Sequence, residues 1–156
     1  MVTLVIMDGF GIRKEEYGNA VKLQGTPNLK RLKSEYPYTQ IEASGQAVGL
    51  TAGQMGNSEV GHLNLGAGRV VFQDLLRINN AIKDKSFFEN KVLNESCDFA
   101  NKNNSTLHLM GLCSNGGVHS HIDHLKALID LSQTKKCRDV VLHLFLDGRD
   151  TYIDSG

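Results

Sequence analysis

Four short stretches of this 156-residue chain carry residue types whose spacing could do chemistry. Asp8 follows the apolar run Val2–Met7 and precedes Gly9. A carboxylate at a strand end, with a glycine letting the backbone come close, can ligate a divalent metal; it can equally form a turn or cap a helix. Gly56-Asn57-Ser58-Glu59-Val60-Gly61-His62 sets a serine between glycines where a helix should begin. A hydroxyl there lies beside unpaired N–H groups that favour anions, which suits a nucleophile accepting a phosphoryl group. The same position is that of an ordinary N-cap. Two residues separate Ser58 from Gly61, so the stretch is not the GxSxG elbow of α/β-hydrolases.

The third stretch is Gly116-Gly117-Val118-His119-Ser120-His121-Ile122-Asp123-His124. Its HxHxDH pattern matches the signature of metallo-β-lactamase-like hydrolases. A binuclear zinc site needs more ligands downstream, and after His124 the only histidine is His143, inside an apolar run. His121 and His124 are expected to serve the start of the helix that follows. The fourth is Asp147-Gly148-Arg149-Asp150. Arginine is the natural bidentate partner of phosphate or carboxylate, and Asp150 beside it could hold a proton from a substrate hydroxyl. Such a charged turn can also be merely solvated.

The elements that must position these residues are legible in outline. Thr3–Met7 reads as a strand buried on both faces, as in a parallel sheet, and 39–43 as a second short strand. Thr26-Pro27 starts a helix carrying Leu29, Leu32 and Tyr36 and ending at Pro37. The glycine-rich stretch 44–56 is a long loop of the kind that is usually functional. Ser58–Leu65 forms a short helix closed by Gly66, and 66–72 crosses to the next unit. Asp74 caps an amphipathic helix with Leu75, Ile78 and Ile82. Ser86 and Glu89 form a capping box for another, with Val92, Leu93, Phe99 and Ala100 inward. Then come a strand (107–110), a glycine-rich loop, a helix with Ile122, Leu125, Leu128 and Ile129 inward, and a strand (140–146). That order is a βαβ unit with parallel strands and a right-handed crossover. Its two loops leave the same sheet edge, where open α/β sheets bind ligands, so His119, Arg149 and Asp150 should share one rim.

Composition narrows the field. Seventeen Lys plus Arg balance seventeen Asp plus Glu, with 40% hydrophobic and 22% charged residues, so no net field points to nucleic acid or anionic membrane. Cys97, Cys113 and Cys137 are odd in number and widely spaced, against a disulfide framework and in keeping with a reducing cytosol. The apolar start is too short for a signal peptide or a membrane span. A cytoplasmic location is expected.

Leu4–Gly11, Met55–His62, Gly116–His121 and Phe145–Asp150 together resemble the cofactor-independent phosphoglycerate mutases, in that family's order and over nearly the whole chain. The resemblance implies an α/β enzyme of two domains. Residues 1–72 would be the N-terminal part of an alkaline phosphatase-like three-layer domain. Residues 73–156 would begin an inserted α/β domain that binds glycerate. It implies interconversion of 3-phosphoglycerate and 2-phosphoglycerate in glycolysis through a phosphoserine, with Ser58 the nucleophile. Asp8 and Ser58 would ligate one of two divalent metal ions, Mn²⁺ in most of the family. His119, Arg149 and Asp150 would hold the substrate. No 2,3-bisphosphoglycerate is required, and the complete enzyme would be a monomer. The remaining metal ligands and substrate cations of the family have no counterpart in these residues. The chain alone is therefore expected to be inactive without the remainder of the enzyme. The alternatives from other classes are a non-catalytic binding module and an HxHxDH-type metallo-hydrolase.

Overall fold

The computed structural model describes residues 1–155, a mixed α/β arrangement of six helices and two strands. Helices α1 (Ala20–Gln24) and α2 (Pro27–Glu35) come first. Pro27 at N1 presets the helical φ of α2. Tyr36 is extended, as a residue before proline must be, which ends the helix where Pro37 predicts. Helix α3 (Ser58–Ala67) is capped by Asn57, whose side-chain oxygen accepts the Val60 N–H at 3.0 Å. It closes at Gly68 in the left-handed conformation, two residues later than the glycine expected to stop it.

Helix α4 (Asp74–Lys83) has Asp74 at its first position rather than as its cap; the carboxylate instead accepts from Arg77 at 2.9 Å. Ser86 and Glu89 do not form a capping box. The Ser86 hydroxyl and amide both donate to Asp84, closing a 3₁₀ turn, and Asn90 caps α5 (Lys91–Lys102) through the Leu93 N–H. The buried face of α5 is Cys97 and Ala100. Val92 and Phe99, expected inward, are 69% and 68% exposed.

Strands β1 (Leu107–Cys113) and β2 (Val140–Leu146) are parallel, in register from Leu107↔Val140 to Cys113↔Leu146. They are joined through α6 (Ile122–Thr134), as the βαβ order predicts, with β1 running three residues past its expected end. Ala127 and Leu131 of α6 are buried, along with Leu76 of α4. His124 reaches Asn79 at 2.6 Å and ties α6 to α4. Burial is the first cause holding its imidazole below the usual histidine range, with His121 adding to the effect.

Residues 3–7 and 39–43 form no strand. A strand exists only as part of a ladder, and a run apolar on both faces needs neighbours on both edges. Among the described residues neither run finds a partner, and Val5 and Ile41 stand 77% and 81% exposed. A small cluster of Val48, Leu50 and Val60 holds the glycine-rich loop to α3. Asn64 of α3 donates to the Val48 carbonyl at 2.9 Å and accepts from the Val71 amide at 2.8 Å, drawing the crossing segment onto that loop. Gly49 makes this closure possible. Its φ is +85°, and a Cβ there would lie 2.0 Å from the Val71 carbonyl oxygen.

Candidate active site

Two side-chain clusters emerge, one in each half of the chain. In the first, the Ser58 hydroxyl donates to Asp8 Oδ2 at 2.5 Å across fifty residues of sequence. Asn57 does the capping, so Ser58 sits at the first position of α3 with its hydroxyl unspent on the backbone. His62, one turn on, places Nδ1 2.9 Å from the Ser58 carbonyl oxygen and 3.2 Å from Oγ. A carbonyl only accepts, so the contact assigns the proton to Nδ1, and His62 donates toward both oxygens. The resulting order is imidazole N–H to serine oxygen, serine O–H to carboxylate. A serine oxygen so held has a donor facing it and an acceptor for its proton, the arrangement a nucleophile or leaving alkoxide needs. His62 is a site residue that the motif by itself does not assign. Its i,i+4 spacing from Ser58 on a helix was the available signal.

The second cluster forms at the C-terminal ends of the two strands. His119 Nδ1 donates to Asp150 Oδ2 at 2.6 Å, leaving Nε2 to accept from a ligand when the ring is neutral. Arg149 joins through its backbone, and its guanidinium makes no ion pair among the described residues. Gly116 lies under Asp150; a Cβ there would come within 2.9 Å of the Asp150 carbonyl oxygen, so the loop approach requires glycine. Beneath the rim is a pair that no sequence motif joins. Buried Ser114 donates to buried Asp147 at 2.5 Å, and the other Asp147 oxygen accepts the Arg149 and Asp150 amides at 2.9 and 3.1 Å.

The Ser114 hydroxyl first, then those amides, hold the Asp147 carboxyl down at about 2, outweighing the opposing effect of burial. A carboxylate with a depressed folded-state value stabilises the structure above its unfolded titration range. That contribution is lost as pH falls through the folded value. The rim is therefore expected to keep its order down to about pH 4 and to lose it toward the folded value of about 2. Carbon-detected NMR of the Asp147 carboxyl checks this. A midpoint at the ordinary carboxylate value of about 3.9 would show that the hydrogen bonds are absent in solution.

The HxHxDH stretch does not gather. His119 pairs with Asp150, His121 caps α6, Asp123 pairs with Lys126 at 2.9 Å, and His124 bonds Asn79. Among the described residues no three metal-ligating side chains converge. An open cleft of about 420 Å³ runs between Thr51–Gln54 and Asn115–Val118, with Asn79 and His121 along it. The Asp8–Ser58 and His119–Asp150 pairs both lie outside its lining, and they share no hydrogen bond with each other. All three cysteines are free; burial first, then Cys137, pushes the Cys97 thiol up to about 11.

These observations define an α/β protein with a serine–carboxylate pair at a helix start and a histidine–arginine–aspartate rim at the end of a parallel strand pair. Residues 78–156 match the family model described as BPG-independent PGAM N-terminus, and the chain belongs to that family. It is 56% identical over 155 residues to a 2,3-bisphosphoglycerate-independent phosphoglycerate mutase of Clostridium perfringens, covering 99% of this chain and 30% of that protein. To the protein of the same name from Clostridioides difficile it is 61% identical over 150 residues, covering 96% and 29%. The crystal structure of Leishmania mexicana phosphoglycerate mutase at low cobalt concentration superposes with a TM-score of 0.63 at 37% identity, over 94% of this chain and 27% of that one. The chain thus spans about 30% of the length of the curated relatives it matches. No helix among the described residues is long and apolar enough to cross a membrane.

Proposed function

We propose that these residues form part of an enzyme that interconverts 3-phosphoglycerate and 2-phosphoglycerate through a phosphoserine at Ser58. The observation that carries the reading is the Ser58 hydroxyl, left free of capping by Asn57 and donating to Asp8 at 2.5 Å at the start of α3. In this reading residues 1–72 belong to a phosphatase-like three-layer metal domain and 73–156 to an inserted glycerate-binding domain. The names of the relatives above and the ordered motifs support it.

Asp8 and Ser58 offer two oxygen atoms at one point, a donor pair that fits a hard divalent ion such as Mn²⁺. Two donors do not complete a site, so the ion's other ligands would come from outside the described residues. When bound, the metal would lower the pKa of the serine hydroxyl and offset charge on the phosphoryl group in transit. The chain's own residues supply position. Asp8 and His62 fix the Ser58 oxygen between an acceptor and a donor. The N-terminus of α3 favours the incoming anion.

As the Ser58 Oγ–P bond forms, the bond from phosphorus to the C3 oxygen of the substrate breaks; Oγ gives up its proton and the C3 oxygen takes one. Arg149 would hold the glycerate carboxylate through two N–H donors. His119, oriented by Asp150, would accept a hydrogen bond from a glycerate hydroxyl through Nε2. Glycerate retained on that rim turns, and its C2 oxygen bonds to phosphorus as the Oγ–P bond breaks; the C2 hydroxyl gives up its proton and Ser58 Oγ regains one. Retention is what distinguishes a mutase from a phosphatase here. The direct test uses the full-length protein with Mn²⁺ and 3-phosphoglycerate, quenched early. Peptide mass spectrometry should find phosphate on Ser58 and product without added 2,3-bisphosphoglycerate. Phosphate on a different residue, with none on Ser58, would sink the assignment.

A further inference from the structure

We propose that Ser114 and Asp147 are positioning residues that set the geometry of the glycerate rim, and through it the share of phosphoryl groups returned to glycerate rather than lost to water. The proposal rests on the functional reading above. It begins with the sheet register. The ladder ends at Cys113↔Leu146, so Ser114 and Asp147 are the first residues beyond it on each strand. Their side-chain bond of 2.5 Å stands where the next rung would be, and it joins the two loops at their roots.

From that bond the order spreads into both loops. Asp147 Oδ1 accepts the Arg149 and Asp150 amides, at 2.9 and 3.1 Å. The Ser114 hydroxyl oxygen accepts the Gly116 amide at 3.0 Å, and the Ser114 carbonyl accepts the Ile122 amide at 2.7 Å. The loop bearing His119 is therefore held near its two ends, and the turn bearing Arg149 and Asp150 is held at both of those residues. The His119–Asp150 contact at 2.6 Å bridges the loops so fixed. Ser114 and Asp147 are 5% and 9% exposed, too enclosed to serve a ligand directly. A buried acceptor removed from such a network leaves its donors unpaired, which is costly and moves the loop.

The chemical consequence follows from retention. When glycerate is loosely held it leaves, and water attacks phosphoserine instead. The water oxygen bonds to phosphorus as the Oγ–P bond breaks, water loses one proton, and Ser58 Oγ regains one. Inorganic phosphate is the product. A merely structural residue would lower isomerisation and hydrolysis in the same proportion; a positioning residue changes their ratio.

The test compares Asp147→Ala, Asp147→Asn and Ser114→Ala in the full-length enzyme. It measures inorganic phosphate released per 2-phosphoglycerate formed, with hydrogen exchange of the peptide carrying Arg149 and Asp150. Asp147→Ala should raise the phosphate share on the order of tenfold and speed exchange there, as expected from loss of a buried acceptor. Asp147→Asn keeps an oxygen for both amides and should stay within about threefold of wild type on both measures. Ser114→Ala, which removes the bond to Asp147 and the acceptor of the Gly116 amide but leaves both loop amides on Asp147, serves if Asp147→Ala does not fold, and it should shift both measures in the same direction. An unchanged ratio with unchanged exchange in the folded variants would overturn the proposal. A wild-type enzyme that neither isomerises nor forms phosphoserine would sink the functional reading, while the exchange arm would still decide whether Asp147 holds the rim.

Discussion

Replacing Ser58 by alanine is expected to remove the proposed phosphoglycerate mutase activity from the full-length protein, by on the order of 10⁴-fold or more, as loss of a covalent nucleophile does. The fold should survive. Asn57 carries the cap of α3 through the Val60 amide, and His62 keeps its bond to the residue-58 carbonyl, so the change deletes chemistry and little else. Alanine is also the residue best suited to a helical position. The check pairs a thermal melt with turnover of 3-phosphoglycerate. Activity within tenfold of wild type, in protein of unchanged melting temperature, would mean that the Ser58–Asp8 bond is only structural.

The second large effect concerns the 156-residue polypeptide by itself. It is expected to show no mutase activity with Mn²⁺ and 3-phosphoglycerate, and to melt weakly or associate in solution. Asp8 and Ser58, proposed to hold a metal ion, have no third ligand beside them among the described residues, and two donors hold a transition-metal ion poorly. Its apolar surface is the other reason. Val2 is 97% exposed, and Phe145 and Leu146 of β2 are 61% and 68% exposed. Among the described residues the sheet has two strands, below what is usually needed for independent stability. Surfaces of this kind drive association. Sedimentation velocity and a coupled assay decide the matter. A monomer that unfolds cooperatively and turns over substrate would contradict both halves of the expectation.

What could be read from the sequence divides along a physical line. Features set by local chemistry were legible: the stop of α2 before Pro37, the βαβ order that sets β1 beside β2, and the shared rim of His119 and Asp150. Features set by distant partners were not. Thr3–Met7 has the composition of a buried strand, but a strand is made by its neighbours, and none stands beside it among the described residues. The bond between Ser114 and Asp147 spans thirty-three residues, and no spacing rule links them. Helix caps fell between these cases. His121 caps α6 as expected, whereas Asn57 and Asn90 take the caps that Ser58 and Ser86 also offered, because several capping residues stand within a few positions of each other. Only the geometry of the turn selects among them.

The division of labour between Asn57 and Ser58 carries a consequence for the covalent intermediate. A phosphoryl group on Ser58 brings nearly two negative charges to the positive end of a ten-residue helix. Attraction to that end contributes about 0.3–1 kcal/mol, while the cap bond from Asn57 to Val60 need not break to admit it. Helix order and phosphoserine are thus thermodynamically linked: whatever frays the first turn of α3 also destabilises the modified serine, and modification in turn firms the turn. In the proposed cycle this attraction offsets part of the repulsion between the phosphoryl group and the Asp8 carboxylate, whose hydrogen bond from Ser58 is lost on modification.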